Sequence, residues 1–422
     1  MNIEEIINTP LETFIKAERY LNDGSRSKIR NSTSYDTSPM SDKYSFNLKV
    51  IEFENIIFED FALEEGFFIP SNCIIIHPDL IENEIFNYCK YKLVNEITVM
   101  PTASGRTTFS IENNIFIKLA YLKILGRIPR HIPKEKIQSA CEITRILKNI
   151  IDSGKTNSKF SILNEDKGRV AFLPQNDGYY ELGVIFRDAL PYPMKDEFHA
   201  LIPFFSLFSK EYEPGSNWVP CKFQDDPLVI QLYKKQNRNV SIDDFVLDDI
   251  IKPLLNTYFD ALIYGGIELE AHAQNMLIAI DNKFNILQIV CRDLESAGRD
   301  ITLMQHFNLK YLDVAKNYKY ILKTNIEVGE KYSIYQRTHS FMFDFKLGEY
   351  IITPLIECIC EYNSGINKIE FEDKIKKYCD QFIKLLPEDF FPKEWCDYDD
   401  VVWDINKEKT YNWHENPKYR KS

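Results

Sequence analysis

No apolar run in this chain reaches the roughly 18–20 residues that a membrane-crossing helix needs, so no bilayer span is expected. The first residues, Met1-Asn2-Ile3-Glu4-Glu5, lack a basic stretch followed by an apolar one, so no secretory leader is expected either. Positive charge is scarce: Lys and Arg number 51 against 63 Asp and Glu, a formal net charge of −12. That balance argues against nucleic acid and anionic membranes as partners, because phosphate-rich surfaces demand a cationic face. It leaves room for a small anionic substrate in a locally cationic pocket. The nine cysteines are odd in number and scattered from Cys73 to Cys396. The one close pair, Cys358 and Cys360, lacks the two-residue spacer of zinc or redox motifs, so buried, reduced thiols in a cytoplasmic protein are expected. A Walker-type glycine–lysine–Ser/Thr order and a Gly-x-Ser-x-Gly elbow are both missing, as are internal repeats and low-complexity tails.

What remains is ordinary for a globular protein: 422 residues, 44% hydrophobic and 27% charged, enough for two or three packed units. An amphipathic segment from Leu11 to Leu21 leads into a Ser/Thr/Asn-rich stretch ending at Pro39, which reads as a loop or linker. Phe46–Ile51 alternates as a strand does, and Cys73–Ile76 is a buried strand run. The spacing of Ile137, Ala140, Ile143, Leu147 and Ile151 behind Pro133 predicts a helix ending before Gly154. Arg169–Leu173 and Leu182–Phe186 read as adjacent strands joined by the turn Asn176-Asp177-Gly178. Leu247–Tyr264 predicts a second long helix stopped by Gly265-Gly266, and Phe284–Val290 a strand. Beyond Leu309 the pattern is mainly helical, most clearly over Tyr350–Tyr362 and Phe371–Leu386. The expected class is α+β with mixed or antiparallel sheets and a helical C-terminal portion.

Two polar clusters carry the chemistry. The first is Ser104-Gly105-Arg106-Thr107, followed by Lys118 and Arg130. Hydroxyls, backbone N–H groups beside a glycine, and three cations together suit a polyphosphate. A polar turn with solvated cations is the plainer account of the same residues. The second, about 140–190 residues further on, is Glu270-Ala271-His272-Ala273-Gln274-Asn275, with Arg292-Asp293 after it. If extended, this segment would point Glu270, His272 and Gln274 to one side. Glu270, Asn275 and Asp293 are hard oxygen donors of the kind Mg²⁺ prefers. Zinc at His272 lacks a nearby second histidine, and a purely structural polar network is the competing account. His77 before Pro78 suits a cap as well as a functional role, and His131, His199, His306, His339 and His414 are isolated.

In order and spacing these residues resemble the siderophore synthetases that act independently of nonribosomal peptide synthetases, the aerobactin-synthetase family. The resemblance runs from about His77 to Asp293. His77-Pro78 resembles the start of a His-Pro-Trp-Gln element. Ser104, Arg106 and Thr107 match Ser-x-Arg-Thr, with Lys118 and Arg130 at the family spacing. Gly183-Val184-Ile185-Phe186-Arg187-Asp188 is similar to a Gly-x-x-x-Arg-Glu strand, and Glu270–Asn275 to Glu-x-His-x-Gln-Asn. Arg292-Asp293 completes the set. The resemblance implies a cupped-hand fold of thumb, fingers and palm. It places a shortened thumb-like region at 1–95, a synthetase core at 96–300 and a helical palm region at 301–422. It implies an ATP- and Mg²⁺-dependent ligase that adenylates a carboxylate, commonly citrate or a citryl derivative, and passes it to an amine or hydroxylamine. Ser104, Arg106, Thr107, Lys118, Gln274 and Arg187 would then hold nucleotide. Glu270, Asn275 and Asp293 would hold the metal, while Arg130, His272 and Lys118 would serve the chemistry. Small carboxylate and amine substrates are the expected partners, with no nucleic acid or membrane and a homodimer left open.

The chain departs from that pattern in several places. The upstream His-Pro-x-His-Pro element is missing, and Pro78 is followed by Asp79-Leu80 instead of Trp-Gln. Gly126 stands where many members carry a threonine, and Trp413–Pro417 only faintly echoes an Asn-Pro ending. These departures weaken the reading of citrate as the acid and leave the nucleotide reading intact. A small-molecule kinase and a non-catalytic partner of synthetase ancestry are the competing functions.

Overall fold

The computed structural model describes residues 1–22, 33–125, 128–216, 218–309, 320–398 and 411–421. Gly126 and part of the Ser/Thr/Asn-rich stretch lie outside them. An eight-stranded sheet runs in the order Ile57–Phe61, Lys167–Gln175, Gly178–Asp188, Ile115–Leu119, Thr107–Ser110, Tyr91–Pro101, Phe46–Phe53 and Cys73–Ile76. All its pairings are antiparallel. A five-stranded sheet runs Pro191–Tyr192, Phe160–Leu163, Ile286–Cys291, Met276–Ile280 and Ala200–Pro203, and is mixed because Ile286–Cys291 pairs parallel with Phe160–Leu163. Three further small sheets are present among the described residues, and the expected α+β class with mixed and antiparallel sheets is observed.

The helix Lys134–Asp152 joins the two main cores. Ile137 and Ala140 near its start pack into the core of the eight-stranded sheet. Ile143, Ile146, Leu147 and Ile150 further along pack with the five-stranded sheet and the C-terminal helices. The helix expected over Leu247–Tyr264 forms in three pieces: Ile242–Phe245, a wide π-helical turn Val246–Ile251, and Lys252–Gly265. Pro253 explains the widening, since proline has no N–H for the usual i→i−4 bond and its ring crowds the preceding turn. The pattern recurs at Pro354, where the π-helical Phe341–Ile352 precedes Thr353–Tyr362. Gly266, at φ 62°, ends the first of these helices in the left-handed conformation that glycine tolerates.

The expected boundary near residue 95 falls inside the strand Tyr91–Pro101, which pairs on one edge with Phe46–Phe53 and on the other with Thr107–Ser110. One sheet therefore spans the first two expected regions. A single core likewise runs from Ile3 through Phe160 and Leu254 to Phe343 and Leu355. Gly183 lets two segments cross closely: a Cβ there would lie 2.2 Å from the Ile132 carbonyl oxygen. All nine cysteines are free, and no helix among the described residues is long and apolar enough to cross a membrane.

Candidate active site

Strand register sets the first half of the site. Thr107 faces Lys118 across one antiparallel pair; Lys118 faces Ile185, and Phe116 faces Arg187, across the next. Opposed residues point to the same face, so Thr107, Lys118 and Arg187 share one side of the eight-stranded sheet. Ser104, Gly105 and Arg106 form the turn that enters the Thr107–Ser110 strand. Gly105 is needed there for close approach, because a Cβ would come within 2.6 Å of the Thr33 side chain.

The second half enters at the end of the strand Ile286–Cys291. Asp293 stands just beyond it at φ 67°, a left-handed conformation that β-carbon sterics disfavour and that Asp and Asn enter more readily than other non-glycine residues. The Asp293 carboxylate contacts Lys118 Nζ across 175 residues of sequence and accepts from Arg187 Nη2 at 2.7 Å. Burial opposes its ionisation, but Lys118 and Arg187 outweigh that and hold the carboxyl well below the usual range. Glu295 lies 2.8 Å from Lys118, 3.5 Å from Arg106 and 3.7 Å from Lys136. Its burial is likewise outweighed, first by Lys118 and then by Lys136 and Arg106, so its carboxyl is also held down. Arg187 additionally donates to the buried Glu165. Against its own burial, Glu165 and Asp293 raise the Arg187 pKa.

The segment 270–275 bends into a turn over 272–275 instead of forming the strand or extended loop that alternation suggested. His272 N–H donates to the Glu270 carbonyl and Asn275 N–H to that of His272, both local bonds that close the chain. The alternation survives as burial: Ala271 and Ala273 are buried, while Glu270, His272 and Gln274 are partly exposed. Arg292 clamps the turn, donating from Nε to the Gln274 carbonyl at 2.8 Å and from its backbone N–H to the Asn275 carbonyl. Gln274 N–H donates to His272 Nδ1 at 3.2 Å, which places the proton of a neutral ring on Nε2. Burial pushes the His272 pKa down to about 4, so the ring is neutral near pH 7.

Arg130, on the short strand Ile128–Arg130, donates to the Leu125 carbonyl at 3.2 Å. Burial first, and then the charge of Arg106, lower its pKa, while Glu270, Glu295 and Asp293 act in the opposite direction. His272 in turn feels both Glu270 and Asp293. The residues of both clusters thus surround one region. Five cations meet there: Arg106, Lys118, Arg130, Lys136 and Arg187. Four carboxylates, Glu165, Glu270, Asp293 and Glu295, face them; the cations still outnumber them by one, which favours an anion there in a chain that is acidic as a whole.

Among the described residues there is no group of three or more His, Cys, Asp or Glu arranged to hold a metal by themselves. Mg²⁺ commonly takes only one or two carboxylates and completes its shell with phosphate oxygens and water. Glu270 and Asp293 supply two carboxylates near one region. Asn275 donates from Nδ2 to the Glu270 carbonyl at 3.0 Å, leaving its side-chain oxygen as an acceptor. The donor set fits a Mg²⁺ ion shared with a phosphate.

Glu18, Lys136, Glu165, Glu295 and Lys346 were not read from the sequence. Lys346 lies 3.2 Å from Glu270 and comes from the distant π-helical segment Phe341–Ile352. Glu295 had a readable signal, an acid two residues beyond Asp293. His77 is buried and caps the turn Pro78–Leu80 by accepting from the Asp79 N–H.

Residues 79–209 match the model of the IucA / IucC family. No curated protein sequence matches the chain. Among solved structures it is similar to the ATP-bound aerobactin synthetase IucA of Klebsiella pneumoniae, at 13% identity and TM-score 0.67, covering 98% of this chain and 80% of that one. The petrobactin biosynthesis protein AsbB of Bacillus anthracis matches at 14% identity and TM-score 0.63, over 89% of this chain and 68% of its own. Aerobactin synthetase IucC of Klebsiella pneumoniae matches at 14% identity and TM-score 0.57, over 81% of this chain and 63% of its own. Residues 79–209 thus carry the sequence pattern of the IucA / IucC family, and nearly the whole chain has the fold of that family's solved synthetases.

Proposed function

We propose that this protein is an ATP-dependent ligase that activates a small carboxylate as an acyl adenylate and joins it to an amine or hydroxylamine, in siderophore or related metabolite synthesis. The observation that carries the proposal is the contact between Lys118 and Asp293, which brings the Ser104–Lys118 cluster and the segment around Asp293 together across 175 residues of sequence. The likeness to an ATP-bound synthetase supports the choice of nucleotide.

In the first step a carboxylate oxygen of the acid attacks the α-phosphorus of ATP, and pyrophosphate leaves. Arg106, Lys118 and Lys136, with the Ser104 and Thr107 hydroxyls, hold the phosphates and offset charge that builds on their oxygens. Gln274 joins the nucleotide shell. Arg187 holds Asp293 in place, so that Glu270, Asn275 and Asp293 can bind Mg²⁺, which when present neutralises phosphate charge. The planar guanidinium of Arg130 grips the acid, and neutral His272 donates from Nε2 to an acyl or phosphoryl oxygen. In the second step the nitrogen attacks the acyl carbon and loses a proton, and AMP leaves with the bonding electrons.

Incubation with ATP, Mg²⁺, hydroxylamine and a panel of citrate, 2-oxoglutarate, succinate and amino acids tests this directly. Hydroxamate with AMP and pyrophosphate is expected from at least one acid. Formation of ADP would show phosphoryl transfer instead and reject the ligase. ATP·Mg²⁺ binding without turnover across the panel would favour a non-catalytic partner.

A further inference from the structure

The N-terminal helix reaches both halves of the candidate site through a single side chain. Glu18, on the helix Pro10–Tyr20, is fully buried. Its Oε2 accepts from the backbone N–H of Ala103 at 3.1 Å, immediately before the Ser104-Gly105-Arg106 turn. Its Oε1 lies 2.7 Å from Nη2 of Arg292, immediately before Asp293. The same guanidinium donates from Nε to the Gln274 carbonyl. Asn22 fixes the end of the helix by donating to the Glu18 carbonyl at 3.1 Å. Ser206 adds a bond to the Leu21 carbonyl at 3.1 Å.

A buried ion pair is a weak source of stability, because desolvation of both charges offsets most of their attraction. What such a pair fixes well is geometry. The Glu18 carboxylate is hydrogen-bonded to the Ala103 amide through Oε2 and paired by charge with Arg292 through Oε1, while the same guanidinium is hydrogen-bonded to the Gln274 carbonyl. The geometry points to Glu18 as a positioning residue that sets the distance between the phosphate-binding turn and the carboxylate turn. The functional half of this inference rests on the nucleotide reading of the site. Glu18 itself touches neither nucleotide nor acid; it acts through Arg292 and the Ala103 amide.

Amide hydrogen exchange on the full, ligand-free chain reads the brace without any nucleotide. Glu18→Gln keeps the shape but removes the charge that faces Arg292. Faster exchange in residues 102–106 and 292–296 together is the expected result; unchanged exchange in either segment overturns the brace. Titration of ATP·Mg²⁺ into the same proteins then reads its role. Glu18→Gln and Arg292→Gln are each expected to weaken binding about tenfold, as a site loosened by a fraction of an ångström does. The double variant should be no weaker than the weaker single, because both remove one interaction. Wild type that binds while Glu18→Gln binds equally well overturns the positioning role alone, and so do additive effects. Wild type that fails to bind ATP·Mg²⁺ overturns the nucleotide reading, whatever the exchange data show. Glu18→Asp, which keeps the charge, guards against a poorly folding Gln variant; recovery of more than half of the lost affinity is expected, and no recovery overturns the inference.

Discussion

Glu165 holds Asp293 twice over. Its carboxylate accepts the backbone N–H of Asp293 at 2.6 Å and that of Leu294 at 3.0 Å, and it pairs with Arg187, which donates in turn to the Asp293 side chain. A non-glycine residue at φ 67° persists only where its surroundings over-determine it, at a strain of order 1–3 kcal/mol. Glu165→Ala would release that hold and leave the buried Arg187 short of a partner. A loss of about 3–5 kcal/mol is expected in urea unfolding. A loss below 1 kcal/mol would mean that the Asp293 turn stands without Glu165.

Lys118 is buried between Asp293 and Glu295. Lys118→Ala should therefore do two things: remove the proposed phosphate contact and leave the half-buried Asp293 and the buried Glu295 under-compensated. Nucleotide affinity and melting temperature are both expected to fall, affinity by about one to two orders of magnitude for a charge-assisted contact of roughly 1.5–3 kcal/mol. Adding Glu295→Gln should restore most of the melting temperature and none of the affinity. If the double variant regains both, Lys118 serves the fold alone.

Thr107, Lys118 and Arg187 could be named from short motifs in the sequence. That they share one face is a matter of strand register between segments, which the sequence alone did not show. The turn at 270–275 was misread as extended because burial alternates there for a different reason: Ala271 and Ala273 pack inward while the polar residues between them stay at the surface. Glu18, Glu165 and Lys346 were invisible for a physical reason as well. Each is a lone charge on an ordinary helix or loop, and only the tertiary path that brings it to Ala103, Asp293 or Glu270 gives it meaning. The strand Tyr91–Pro101 likewise hid the continuity of the large sheet, since strand partners distant in sequence leave no periodic signal.

Metal dependence separates Glu270 from Asp293. Glu270 is partly exposed and paired with Lys346, so Glu270→Ala should leave the fold intact and lower the Mg²⁺ dependence of ATP binding. Asp293→Asn keeps a residue that accepts the left-handed backbone, and it should weaken Mg²⁺-dependent binding more strongly because the half-buried carboxylate proposed as a ligand is lost. Wild-type affinity for ATP that is equal with Mg²⁺ and with a chelator would reject this ligand set.

A second buried network should make stability depend on pH. His339 sits between Glu268 and Asp300, with Nε2 2.9 Å from the Asp300 carboxylate, and Tyr335 donates to Asp300 at 2.9 Å. Burial opposes protonation, but Glu268 and then Asp300 outweigh it and raise the pKa to about 9. The folded value thus exceeds the ordinary histidine value of 6.5. Its contribution is fully present below about pH 6.5 and is lost as pH rises through about 9. Unfolding free energy should fall by a few kcal/mol between pH 6.5 and 9.5, and His339→Gln should be less stable but flat over that window. A wild-type curve that is flat there, or a variant that still declines, would show that His339 is not the charged group.

The division of labour between Arg130 and Lys118 is the most demanding test of the proposed chemistry. Arg130 presents a planar fork whose charge is felt together with that of Arg106, Glu270, Glu295 and Asp293, whereas Lys118 is a point charge between Asp293 and Glu295, in the cluster proposed to hold phosphate. Arg130→Lys keeps the charge and loses the two-pronged geometry that matches a carboxylate. It should therefore raise the KM for the acid by about tenfold while moving the KM for ATP by less than about threefold. Lys118→Ala should do the reverse, or lower turnover at saturation of both substrates. The two variants act on different bonds of the same step, so their KM patterns should cross. Equal effects on acid and ATP in both proteins would show that the cations form one undivided anion site, with no separate place for the carboxylate.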